Sequence, residues 1–177
     1  MTIVPSLKFD SEHNIIEFDG ALISLHCHHY NCGLLKTIEE ISQIDGHAVI
    51  VETAAEQFFR SFRELLSKAS KEMSPDQALQ EASELYRFMG FGRLDLTELT
   101  ARGGIAYGYS SYYVTSWLAK YGRRDTPVCY FTCGFIAGIV GAVFDVAPQT
   151  YDVKERQCMM LRHKRCEFVV TKKPNGD

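Results

Sequence analysis

The sequence predicts an α+β fold in which a twisted antiparallel sheet is flanked by helices. Three observations carry that expectation. Helical and strand-like periods follow one another in mixed order, without the strand–helix alternation of a parallel sheet. His47 to Ser70 repeats apolar residues at helical spacing, and Ser74-Pro75-Asp76 starts a second helix that runs to about Phe88. Near the C-terminus, Tyr151 to Met160 and Cys166 to Thr171 flank a basic segment, which is the pattern of a hairpin.

Taken in order, Asn14 to Gly20 reads as a strand and turn, with Ala21 to Leu25 as an apolar continuation. Tyr30 to Ile41 sets Leu34, Leu35, Ile38 and Ile41 at helical spacing, and Asp45-Gly46 breaks the chain after it. From His47 to Ser70, residues such as Val51, Ala55, Phe58, Phe59, Phe62 and Leu66 form one broad stripe. Ser74-Pro75-Asp76 opens the next helix, with proline in its first turn, and Gly90 and Gly92 end it. Arg93 to Thr100 suggests a strand, Gly103-Gly104 a turn, and Ile105 to Tyr109 the partner strand. Ser110 reads as the cap of a helix over Ser111 to Lys120, with Gly122 after it. Pro127 opens an apolar helix, Asp145 to Thr150 is a turn, and the terminal hairpin follows. No repeat or linker interrupts the pattern, so the expectation is one domain over 1–177 with a mainly helical part over 1–106.

At 177 residues such a domain can bury a substantial core without staples. The hydrophobic fraction of 46% and charged fraction of 23% are those of a soluble globular chain. A net charge of −3 makes no case for nucleic acid or an anionic membrane. The late basic residues Arg162, His163, Lys164, Arg165, Lys172 and Lys173 read as a solvated hairpin turn and tail. The start, Met1 to Phe18, has no apolar signal region. The apolar run Val128 to Val146 approaches spanning length, but Cys129, Thr132, Cys133, three glycines and Asp145 interrupt it. It reads as a buried core helix. The expected location is therefore the cytoplasm, where the six cysteines would be thiols or metal ligands rather than disulfides.

Glu155, Cys158 and Cys166 stand at spacings that let one metal ion gather all three, and Cys129 upstream is a candidate fourth ligand. Zinc takes thiolates and carboxylates in sets of four. Residues two apart share a face of a strand, whereas Glu155 and Cys158 are three apart, so a bulge or bend must intervene. The competing explanation is buried free thiols beside an exposed glutamate.

The stretch 107–170 resembles the V4R, or vinyl four reductase, domain. The resemblance rests on Ser110-Ser111-Tyr112-Tyr113 with Trp117-Leu118 and Gly122, then Pro127-Val128-Cys129, Gly134-Phe135 and Gly138. It continues through Glu155-x-x-Cys158 and Cys166-Glu167-Phe168. It implies zinc held by Cys129, Glu155, Cys158 and Cys166, as in related aromatic-sensing domains of transcription activators. Cys133, one helical turn on, is the alternative to Cys129, and the turn from Met159 to Arg165 lacks the glycine usual in the family. It also implies the fold shared by Golgi transport-particle subunits and haem-based nitric-oxide sensors, often dimeric. Tyr109, Ser111 and Tyr113 follow the haem sensors' Tyr-x-Ser-x-Arg pattern without its arginine, which disfavours haem.

A second cluster, His26-Cys27-His28-His29-Tyr30-Asn31-Cys32, is dense in potential ligands. His26, His28, His29 and Cys32 form a candidate second metal site, to which Glu52 and Glu56 are candidate additions. Without a metal, His28 or His29 suits a general acid and Cys32 a nucleophile or proton donor. The alternative is a polar segment with hydrogen-bonded histidines. The aromatic residues Phe58, Phe59, Phe62, Tyr107, Tyr109, Tyr112, Tyr113, Trp117, Phe131 and Phe135 are candidates to line a ligand cavity, or simply to pack. The leading expectation is a sensor or carrier that binds a small hydrophobic or aromatic molecule. It would hold structural zinc, form a homodimer and pass any output to a partner protein. The alternatives are a metal-dependent or tetrapyrrole-handling enzyme using the histidine cluster, and a dimeric scaffold subunit.

Overall fold

A computed structural model describes residues 6–18, 20–69 and 72–174. Strands β1 (Leu7–Asp10), β2 (Ile15–Phe18) and β3 (Ala21–Ile23) form a small antiparallel sheet in that order. The Asp10 carboxylate closes the first turn by accepting the Glu12 and His13 amides, and Asn14 takes a left-handed conformation there. The strand expected over Asn14 to Gly20 corresponds to β2, and its Asp19 lies outside the described residues.

Helix α1 (His28–Glu39) starts two residues before the expected position. Helix α2 (Gly46–Lys68) matches the long stripe, whose expected end at Ser70 lies outside the described residues. Asp45 caps α2 by accepting the Ala48 amide. Helix α3 (Pro75–Phe88) begins with a reciprocal Ser74–Gln77 capping box. Strand β4 (Gly92–Asp95), strand β5 (Gly103–Ser111), helix α4 (Tyr112–Tyr121), helix α5 (Tyr130–Val143), strand β6 (Tyr151–Gln157) and strand β7 (Cys166–Lys172) complete the order. The last four strands make an antiparallel sheet in the order β4-β5-β7-β6. The architecture is α+β, as expected.

Several boundaries differ from the sequence reading, each for a local reason. The strand expected to reach Thr100 ends at Asp95, where that carboxylate accepts the amide and hydroxyl of Thr97 and turns the chain. Gly103 and Gly104 lie inside β5 rather than in a turn. A Cβ on Gly103 would sit 2.2 Å from the Val170 carbonyl oxygen, and one on Gly104 2.3 Å from that of Glu98. Ser110 does not cap α4. Its hydroxyl accepts the Arg93 amide across the sheet, and Ser111 accepts the Val114 amide instead. The apolar helix runs over α5 alone, with Cys129 as its N-cap residue.

The core lies between the inner face of the larger sheet and the crossed pair α2 and α5. Phe62, Leu79, Phe135, Ile136, Ile139, Val140 and Phe168 are almost fully buried there. Gly134 and Gly138 let α5 press against α2, since Cβ atoms at these positions would approach the Val51 and Ala55 carbonyl oxygens to 2.3 and 2.5 Å.

Candidate metal centre and ligand cavity

The hairpin of β6 and β7 carries a bulge. Glu155 pairs with Phe168 and Gln157 with Glu167, so Arg156 is the extra residue. The bulge lets Glu155 and Cys158, three apart, both point inward. A single 3₁₀ turn (Met159–Leu161) then reverses the chain, closed by Arg162 in the left-handed region. Within this turn the Met160 amide donates to Cys158 Sγ at 3.4 Å and the Met159 amide to Cys166 Sγ at 3.5 Å. Cys129, at the start of α5, closes the group. Its amide donates to Glu155 Oε2 at 3.1 Å, and its Sγ lies 3.9 Å from Cys166 Sγ.

The ligand atoms of Cys129, Glu155, Cys158 and Cys166 all lie within 4.8 Å of one another, an arrangement that could hold a metal ion. Cys133 is buried one turn further along α5 and is not among the four. Glu155 Oε1 is buried with no hydrogen-bond partner. A buried orphan oxygen costs about 1–3 kcal/mol or more unless a donor or cation meets it. Burial, with Cys158 adding to it, pushes the Glu155 carboxyl up to about 8. Hydrogen bonding to Cys158 likewise pushes the Cys129 thiol well up, while thiols donated by Cys129 and Cys166 favour the Cys158 thiolate. Four acids cannot share charge in so dry a place without a cation. Two helix N-termini meet there as well. Ser111, the cap of α4, places its Oγ 3.6 Å from Cys129 Sγ, and helix N-termini favour thiolates.

Above this group lies an aromatic interior. Phe58 touches Phe131 and Phe135 edge-on, Tyr86 packs on Phe135, Phe91 on Phe131 and Tyr112, and Tyr113 on both Phe131 and Tyr112. Tyr86 shares a 2.8 Å hydrogen bond with Thr132. Burial pushes the hydroxyls of Tyr86, Tyr112 and Tyr113 well above their ordinary value, so they stay neutral donors. Phe58 and Phe62 also form the inner wall of a half-open cavity of about 1060 Å³ between β2–β3, α2 and α3. Phe18, Leu22, Leu65, Met73 and Leu85 contribute to its apolar lining, and polar residues such as Glu17, Gln57, Lys68 and Gln77 line the rest.

The structure distributes the remaining candidates. Phe59 is half-buried under Arg63, and Trp117 packs between Tyr121 and Arg124. Tyr107 and Tyr109 point to the opposite face of the sheet, where Arg165 and Arg93 cover them, so neither joins the aromatic interior. Sequence reasoning missed Tyr86 and Thr132, and it missed Phe91, which sits between two glycines that read only as helix stops.

The histidine cluster does not converge. His26 stacks on Tyr30 and bonds Ser24, His28 and His29 pack on each other in solvent, and Cys32 is fully buried. Glu52 and Glu56 are exposed on α2, Glu56 beside Arg60. Among the described residues, the set that gathers three or more potential ligands is the cysteine–glutamate group.

Residues 113–172 match the family model of the V4R domain, a span that holds all four members of that group. No curated protein matches the chain. Among solved structures, the phenol-responsive sensory domain of the transcription activator PoxR, with phenol, superposes with a TM-score of 0.77. The superposition covers 94% of this chain and 84% of that one at 18% identity, and it shows a shared fold. A vinyl-4-reductase family protein from Methanocaldococcus jannaschii gives a TM-score of 0.48, covering 82% of this chain and 92% of that one at 16% identity.

Proposed function

We propose that this chain is a V4R-type sensor or carrier that binds a small hydrophobic or aromatic molecule and is fastened by a structural zinc ion. The observation that carries the reading is the cavity of about 1060 Å³ whose inner wall, Phe58 and Phe62, continues into the aromatic interior. A volume of this order suits a small organic ligand, and a few placed polar groups suffice to orient it. Phe58 and Phe62 are the ligand residues that line the pocket in this reading, and Phe135, Tyr112 and Tyr113 belong to the aromatic interior behind them. Gln57, Ser61, Gln77 and Gln80, which line the same pocket, are its polar handles. The PoxR domain, whose fold this chain shares, was solved with phenol, which makes a phenol the natural first probe.

Zinc suits the cluster on two counts. Tetrahedral thiolates at bond lengths of about 2.3 Å lie about 3.8 Å apart, and the Cys129 and Cys166 sulfurs stand 3.9 Å apart. The orphan oxygen of Glu155 also gains the cation it lacks. Four protein ligands leave no open position, so the ion would supply a cross-link between α5 and the β6–β7 hairpin rather than chemistry. Reduced thiols fit a cytoplasmic location. A homodimer and a separate output protein complete the proposal, and the diverging histidines favour no reaction at His28, His29 or Cys32.

Metal analysis of the purified protein should find one zinc per chain, lost in Cys158→Ser and retained in His28→Ala. Calorimetric titration with phenol should saturate, and Ser61→Trp, which fills the cavity from its rim, should abolish the heat. Protein that carries no metal sinks the zinc reading. Binding of phenol that is indifferent to Ser61→Trp sinks the cavity.

A further inference from the structure

The larger sheet buries one face and shows the other. Alternation sends Leu94, Ala106, Gly108, Cys166, Phe168 and Val170 inward, where all are buried. On the outer face, the Arg93 guanidinium lies 4.7 Å from the Tyr109 ring centroid and that of Arg165 lies 3.8 Å from that of Tyr107. Both tyrosines point outward from β5, two residues apart, so the two pairs stand side by side where β5 leaves the sheet and β7 enters it.

The acids of this face are already engaged. Glu167 is paired with Arg156, and Asp152 lies 3.0 Å from Lys154. Asp95 accepts from Thr97, and Glu98 accepts the Tyr107 hydroxyl at 3.4 Å. Among the described residues, Arg93 and Arg165 have no carboxylate partner. Neither do the exposed Arg162 and Lys164 in the turn that leads into β7. Cations without a salt-bridge partner therefore collect at one end of the sheet's outer face, in a chain whose net charge is −3.

We infer that this arginine–tyrosine face docks an acidic segment of a partner protein. A guanidinium laid flat on a ring has given up its rotamer freedom and presents its N–H edge to a carboxylate, which it meets in bidentate fashion. Arginine and tyrosine are also the residue types that dominate binding hot spots. Nucleic acid fits less well. Bases need open ring faces to stack on, and here the arginines occupy them, while the overall negative charge opposes a polyanion.

The test is fluorescence anisotropy with three labelled probes: a peptide of alternating glutamate and serine, its glutamine counterpart, and an oligo(dT) of similar length. At low salt the glutamate peptide should bind at least about tenfold more tightly than the glutamine one, and its affinity should fall as salt rises. Arg93→Glu with Arg165→Glu should weaken it at least about tenfold, and Arg165→Lys, which keeps charge but not the planar stack, about threefold. Lys172→Glu with Lys173→Glu, at the far end of β7, should change it less than about twofold. Circular dichroism checks each fold, and Arg93→Ala replaces the double variant if that one fails to fold. The proposal falls if the glutamate peptide does not bind or binds no better than the glutamine one. It also falls if the lysine pair matters as much, or if oligo(dT) binds more tightly.

Discussion

Each member of the buried cluster is held by a different piece of local structure. The Arg156 bulge turns Glu155 inward, the 3₁₀ turn feeds amides to Cys158 and Cys166, and the N-terminus of α5 brings Cys129. Ser111 joins this group to the aromatic interior, since it caps α4, which bears Tyr112 and Tyr113, and lies against Cys129. Replacing it by alanine should destabilise the protein by about 1 kcal/mol, with threonine recovering most of that. A urea titration of the three proteins checks this. The cluster was legible in the sequence only in part: the spacing of Glu155, Cys158 and Cys166 demanded a bulge and left free thiols as an equal alternative, and the resemblance to the V4R domain supplied Cys129. Aromatic content alone did not say which face Tyr109 takes, and it lies away from the aromatic interior, against Arg93. The clue was nearby: Ala106 and Gly108 occupy the inward positions of β5, and a Cβ on Gly108 would stand 3.2 Å from that of Cys166. Small residues mark the crowded side.

Among the elements, the crossing of α2 and α5 sets how the core closes. Gly138→Ala drives a methyl group toward the Ala55 carbonyl oxygen at 2.5 Å, backbone that cannot swing aside. The expected loss is about 2–3 kcal/mol, the scale of overpacking a tight core, and chemical denaturation would show it as a lowered midpoint with unchanged slope. Helices α2 and α3 could be read almost to the residue, because a broad apolar stripe in one and a serine–proline start with glycine stops in the other are local signals. Strand β1 went unread, since four residues with three exposed carry no burial pattern. The glycine pair that opens β5 read as a turn, although tertiary contact with Val170 and Glu98 is what requires it.

For the whole molecule, the proposed metal cross-link between α5 and the terminal hairpin predicts strong dependence of stability on the ion. A tight chelator should lower the thermal midpoint by roughly 10 °C or more, since each kcal/mol moves a chain of this size by a few degrees. Cys158→Ser should start from the lowered value and respond no further, which differential scanning calorimetry reads directly. No helix among the described residues is long and apolar enough to cross a membrane, which agrees with reading the run from Val128 to Val146 as core. That run, the α+β class, the long helices and the ligand types of the cluster were determined by the sequence itself. They depend on periodicity, caps and residue chemistry, which act over a few neighbours. The grouping of Cys129 rather than Cys133 with Glu155, the dispersal of the histidines and the outward placement of Tyr107 and Tyr109 beside the basic turn were decided only by tertiary structure. These depend on how helix ends and strand faces meet across the fold, and no local spacing encodes those offsets.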